Sequence, residues 1–107
     1  SPMIQTMNSL PENIRKKVIA FLQERVADGI HLGQFAKHAH WNVRGPNFAS
    51  THALFDRVYE EVGNLTDGFA ERIAQLGGYV NGTCKAAENA ALMSEYPPGV
   101  VDEYEHL

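Results

Sequence analysis

The sequence predicts an all-α fold: two long antiparallel helices of the four-helix-bundle kind, followed by a short connecting helix. Three observations carry this expectation. Apolar residues recur at helical spacing over residues 10–41 and again over 48–77. A short proline- and glycine-containing break, Asn42 to Asn47, separates the two runs, and so short a connection makes the helices antiparallel neighbours. No stretch alternates apolar and polar residues as a half-buried strand would, and no internal repeat is present.

The first helix is expected to start at Ser9-Leu10-Pro11-Glu12, a capping-box pattern with proline in the first turn. Leu10, Ile14, Val18, Phe21, Leu22, Leu32, Phe35, Ala36 and Ala39 fit one face of a helix reaching to about Trp41. Ile19, Val26 and Ile30 widen that apolar surface beyond what one partner helix needs. Gly29 interrupts the helix and weakens the expectation at that point. Pro46 and Gly45 stop it, and Asn47 is the expected N-cap of the second helix. That helix should run from Phe48 and end at Gly77-Gly78. Thr83 to Leu92 is alanine-rich and reads as a short helix, and Tyr96-Pro97-Pro98-Gly99 is a break. Residues 1–107 are read as one domain, with 1–8 a flexible lead-in.

Composition excludes several functions. A net charge of −4 argues against an electrostatic nucleic-acid footprint and suits a protein that attracts cations. Cys84 is the sole cysteine, so no internal disulfide can form, which fits a reducing cytosol. No apolar run is long enough to span a membrane.

The chemistry concentrates on the second helix. At ~100° per residue, His52, Asp56, Asp67 and Glu71 fall at roughly 0°, 40°, 60° and 100° around its axis, in one stripe. Phe48, Phe55, Tyr59, Val62, Phe69, Ile73 and Leu76 form a second stripe roughly 120° away, the expected core face. Glu60 falls within the first stripe at roughly 80° and is read as solvated. Imidazole and carboxylate together suit Fe, Mn or Zn. Yet His52 and Glu71 lie about 28 Å apart along the axis, so the four cannot meet at one metal within a chain. Two copies antiparallel across a two-fold axis would bring the His52–Asp56 pair of one against the Asp67–Glu71 pair of the other. The hairpin also brings His40, near the end of the first helix, beside His52. Taken singly, each of these residues is more often a solvated or capped side chain. His31 and His38 are read as surface residues, and Trp41 as packing or site-lining. Glu103 and His106 have the Glu-x-x-His spacing of di-iron bundles but lie at the chain's end.

The run Lys37-His38-Ala39-His40-Trp41-Asn42-Val43-Arg44-Gly45-Pro46-Asn47-Phe48, then His52, Asp56, Asp67, Ala70-Glu71-Arg72-Ile73 and Leu76-Gly77-Gly78, closely resembles the Dps family. These are the DNA-protection-during-starvation mini-ferritins of bacteria. The resemblance extends from Leu10 through Tyr96-Pro97. It implies a ferritin-like helical bundle assembled into a hollow dodecamer in the bacterial cytoplasm or nucleoid. It implies Fe(II) oxidation, preferentially by hydrogen peroxide, with ferric mineral stored inside and two irons per ferroxidase site. It implies no organic cofactor. Carried over one at a time, His40, His52 and Asp56 would come from one subunit and Asp67 and Glu71 from its two-fold neighbour, with Trp41 beside the centre. Such histidines coordinate only when neutral, so activity is expected to fall with acidification.

The chain departs from the family pattern in two ways. It holds two long helices and a short one where the family has four long ones, which reads as a truncated form or one completed by dimerisation. Residues 1–8 carry no lysine or arginine, whereas some members bind DNA through a lysine-rich tail, so direct DNA contact is not expected. The rivals to a ferroxidase and storage subunit are a non-catalytic helical oligomerisation fragment and a nucleoid DNA-binding protein.

Overall fold

The computed structural model describes residues 10–90. They form α1 (Glu12–Asn42), α2 (Phe48–Gln75) and α3 (Cys84–Ala90), with no strand among the described residues. α1 packs along α2 as an antiparallel hairpin, and α3 folds back on α1. The all-α expectation and its order of elements therefore hold. The tail from residue 91, with Leu92, the Tyr96–Gly99 break and the Glu103/His106 pair, lies outside the described residues, as do residues 1–8 and Ser9.

The ends of the helices differ from expectation in detail. α1 begins two residues later than a cap at Ser9 would place it: Pro11 is its N-cap, with no side-chain cap, and Arg15 N–H donates to Pro11 O at 2.9 Å. Glu12 thus sits in the first turn, where a carboxylate complements the helix dipole. Asn47 does stand at the N-cap of α2, but its side chain makes no cap bond. At the far end, Gly77 adopts φ 85°. Its N–H donates to Ala74 O at 3.0 Å and that of Gly78 to Ile73 O at 2.9 Å. This pair of bonds is the Schellman termination that a glycine in the left-handed region allows. α3 is capped by Thr83, whose hydroxyl accepts from Ala86 N–H at 3.2 Å. Gln23 of α1 ties down the preceding loop, donating to Asn81 O at 2.7 Å and accepting from Asn81 N–H at 3.0 Å.

The core is narrow and built from small side chains. Val26, Ala27, Ala36 and Ala39 of α1 are buried, as are Phe55 and Ile73 of α2, Leu76 at its C-cap and Val43 between the two helices. Ala27 meets Ala87 of α3 beneath Ile30. At Gly29, the weak point of the sequence pattern, α2 comes close: a Cβ there would overlap Thr66 Oγ1. Close approach explains a glycine that helix propensity alone disfavours. The expected core stripe is only partly covered. Phe48 and Tyr59 of α2, Ile14 and Phe21 of α1, and Leu10 just before α1 are exposed, because one partner helix cannot cover so wide a face. No described helix is long and apolar enough to cross a membrane.

Candidate metal centre

The hairpin turn positions two imidazoles. His40 lies in the last turn of α1 and His52 in the second turn of α2. Val43, Gly45 at φ 116° and Pro46 reverse the chain within one short loop, so the two turns lie side by side. The rings stack with centroids 3.5 Å apart and planes 25° from parallel. Phe48 also stacks on His52, at 5.0 Å between ring centroids.

Two reciprocal hydrogen bonds fix both rings. His40 Nδ1 is 2.7 Å from His52 O, and His52 Nδ1 is 2.7 Å from His40 O. A backbone carbonyl can only accept, so each Nδ1 carries the proton. In the neutral imidazole the lone pair then belongs to Nε2. Backbone carbonyls that hold Nδ1–H in this way set the tautomer and ring orientation of metal-binding histidines. The donor chemistry therefore fits a divalent transition metal.

Asp56 follows His52 by one turn of α2. Lys37, one turn before His40 on α1, donates from Nζ to Asp56 Oδ1 at 2.7 Å. That bond holds the Asp56 carboxyl below its ordinary value near 3.8. Partial desolvation opposes the shift, while the charges of Lys37, His40 and His52 add to it. The ammonium also lies 4.8 Å from the centre of the Tyr59 ring. Sequence reasoning did not single out Lys37. Its three-residue spacing from His40 on one helix face was the available signal.

The remaining two carboxylates are elsewhere. Asp67 and Glu71 are exposed, several turns further along α2. Asp67 borders an open groove of about 530 Å³ between the helices, lined also by Gly33, Tyr59, Glu60, Gly63 and Asn64. Among the described residues no group of three or more His, Cys, Asp or Glu gathers within one chain to hold a metal. The structure thus brings His40 and His52 together, sets Asp56 one turn along α2 from His52 without gathering the three as a metal-holding group, and leaves Asp67 and Glu71 apart. Trp41 is exposed beside the imidazole pair. Glu60 is exposed, as read from the sequence, whereas His31 and His38 are half-buried rather than fully on the surface.

Comparison with known proteins follows the same lines. A family model described as a ferritin-like domain matches residues 19–105. The chain is similar to the DNA protection during starvation protein of Agrobacterium fabrum, at 37% identity over 103 residues, covering 96% of this chain and 64% of the relative. It is similar to the protein of that name from Mycolicibacterium smegmatis, at 38% identity over 78 residues, covering 73% of this chain and 43% of the relative. Among solved structures, DpsC from Streptomyces coelicolor superposes with a TM-score of 0.85 at 29% identity, covering 95% of this chain and 60% of that one. The Dps of Mycobacterium smegmatis gives 0.77 at 36% identity, covering 81% of this chain and 52% of that one. The chain spans between 46% and 64% of the length of the first three relatives it matches.

Proposed function

This chain belongs to the Dps family of ferritin-like proteins, and from that premise we propose that it is an iron-binding ferroxidase and iron-storage subunit. It oxidises Fe(II) with hydrogen peroxide and so protects DNA from oxidative damage. The observation that carries this reading is the His40–His52 pair, each ring held at Nδ1 by the other residue's carbonyl. That arrangement leaves both Nε2 lone pairs for a metal, with the Asp56 carboxylate one turn beyond His52 on α2.

In this reading His40, His52 and Asp56 form one half of the site. Asp67 and Glu71 of a second copy form the other, across a two-fold axis that creates two identical sites per dimer. The carboxylates bind Fe(II) as hard ligands and favour the Fe(III) that forms. The imidazoles bind through Nε2 and keep Nδ1–H on the carbonyls. Two Fe(II) each give one electron, the peroxide O–O bond breaks, and both oxygens leave as water after taking up two protons. Using both electrons at one site avoids releasing a hydroxyl radical. DNA is protected here by removal of Fe(II) and peroxide, without contact, in keeping with the net charge of −4.

The test is anaerobic Fe(II) loading followed by peroxide, with Fe(III) formation read by ultraviolet absorbance. The expected result is oxidation well above the rate of free Fe(II), abolished in His40→Ala/His52→Ala. A rate equal to that of free Fe(II) would rule the reading out.

A further inference from the structure

The loop between α2 and α3 carries the single Asn-Gly pair of the chain, Asn81-Gly82, and both residues are exposed. The groups of one reaction are assembled there: closure of an asparagine side chain onto the next backbone nitrogen. Asn81 Oδ1 accepts from the Thr83 hydroxyl at 3.1 Å and from Thr83 N–H at 3.4 Å. Two donors on that oxygen draw electrons from Cγ and face the negative charge that forms when Cγ is attacked. Among the described residues, neither Asn81 Nδ2, the leaving group, nor Gly82 N–H, the attacking group, makes a hydrogen bond. A Cβ at Gly82 would meet nothing within 4 Å, so the space around its nitrogen is open. Other asparagines differ. After Asn42 the next N–H, of Val43, is bonded to Ala39 O, and Asn42 Nδ2 is bonded to His38 O. After Asn47 the N–H of Phe48 is bonded to Gly45 O.

We propose that Asn81 is a site of spontaneous deamidation, and that its isoaspartate product undoes the clasp by which Gln23 of α1 holds the approach to α3. Gly82 N loses its proton to solvent and attacks Asn81 Cγ. The Cγ–N bond forms, the Cγ–Nδ2 bond breaks, and Nδ2 takes a proton from water and leaves as ammonia. The resulting cyclic imide adds one water at either carbonyl, with no change of oxidation state. Opening at Cγ gives aspartate on the original backbone. Opening at the main-chain carbonyl gives isoaspartate: the chain then runs through the former side chain, and the old carbonyl becomes a carboxylate outside it. That carbonyl is the oxygen to which Gln23 Nε2 donates, while Asn81 N–H donates to Gln23 Oε1. Thr83, two residues on, caps α3. The clasp and the cap are set for a chain path one carbon shorter, so isoaspartate loosens α3 and its Ala87 contact with Ala27 of α1.

The test is incubation of the full chain in warm, mildly alkaline buffer, with peptide mass spectrometry and chromatography that separates aspartate from isoaspartate. The Asn81 peptide should convert at least about tenfold faster than the Asn42 and Asn47 peptides, and Gly82→Ala, whose Cβ hinders the attack without a clash in the fold, should slow it by about tenfold. Conversion no faster than at Asn42 and Asn47, or as fast in Gly82→Ala as in wild type, would overturn the site. The clasp is read by amide hydrogen exchange at Ala87, whose N–H donates to Thr83 O at 3.0 Å. Exchange should quicken in the isoaspartate fraction and stay slow in Asn81→Asp, which has the new charge on the old backbone. Equal protection in the isoaspartate fraction and fresh protein, or loss of protection in Asn81→Asp, would overturn the clasp.

Discussion

Replacing Gly29 by alanine tests whether the close approach of α1 and α2 sets the hairpin. In an isolated helix the change should stabilise by about 1 kcal/mol, because alanine is the better helix former. Here the new Cβ would overlap Thr66 Oγ1 and lie 3.1 Å and 3.2 Å from Thr66 Cβ and Cγ2. Thr66 cannot simply turn away. Its hydroxyl donates to Val62 O at 2.7 Å, a bond worth about 1 kcal/mol. Forcing extra volume into a packed contact costs about 1–3 kcal/mol. The net expectation is a loss of about 2 kcal/mol, or a fall in Tm of about 10 °C for a domain of this size. Gly33, one turn later on the same helix, is the control. A Cβ there would meet only Tyr59 ring atoms, at 3.7 Å, which is ordinary contact. Gly33→Ala should therefore keep its propensity gain of up to about 1 kcal/mol. Urea denaturation followed by circular dichroism measures both, at matched protein concentration. If Gly29→Ala is as stable as Gly33→Ala, the close-approach argument fails.

Two further outcomes follow from the geometry. Gly77→Ala should cost about 1 kcal/mol, because φ 85° is strained for a residue with a Cβ, while Gly77→Asn should cost less; thermal melts of the pair check this. Acid should erase the Lys37–Asp56 contribution: a carboxyl held below its unfolded value stabilises the fold above that value and loses the effect as pH falls through its folded one. The stability difference between wild type and Lys37→Met, measured by denaturation at several pH values, should therefore shrink below about pH 4, and a difference that grew on acidification would contradict the assignment.

Much of this was legible because helical periodicity is a local property. The two long helices, the break between them and the stop at Gly77 each follow from a few neighbouring residues. The hairpin turn likewise made the meeting of His40 and His52 readable, since a short connection leaves little freedom. Contacts across the hairpin were less legible. That Gly29 faces Thr66, or that Lys37 reaches Asp56, depends on the rotation of one helix about the other, which a single-helix pattern does not encode. The apolar stripe of α2 was found, but periodicity reports which side is apolar and not how much of it a partner covers. Phe48 and Tyr59 are exposed for that reason. The start of α1 shows the same limit, since a Ser-x-x-Glu pattern marks a helix start only to within a residue or two, and α1 begins at Glu12 with Pro11 as its N-cap.

The two halves of the proposed site have a register that a two-fold axis would satisfy. His52 and Glu71 are centred on the point between Glu61 and Val62, and so are Asp56 and Asp67. One antiparallel pairing of α2 about that point sets both ligand pairs opposite their partners at once. The consequence is quantitative. A His52→Ala/Asp56→Ala variant and an Asp67→Ala/Glu71→Ala variant should each lack Fe(II) oxidation, since every interface loses one half of both sites. Unfolded and co-assembled in equal amounts, half of their pairings are mixed, and each mixed pairing holds one intact site and one that lacks all four residues. About a quarter of the wild-type activity should return. If both ligand pairs instead served separate sites within one chain, mixing would return nothing. A peroxide-driven oxidation assay on mass-verified mixed assemblies decides between them, and absence of recovery would refute the shared site.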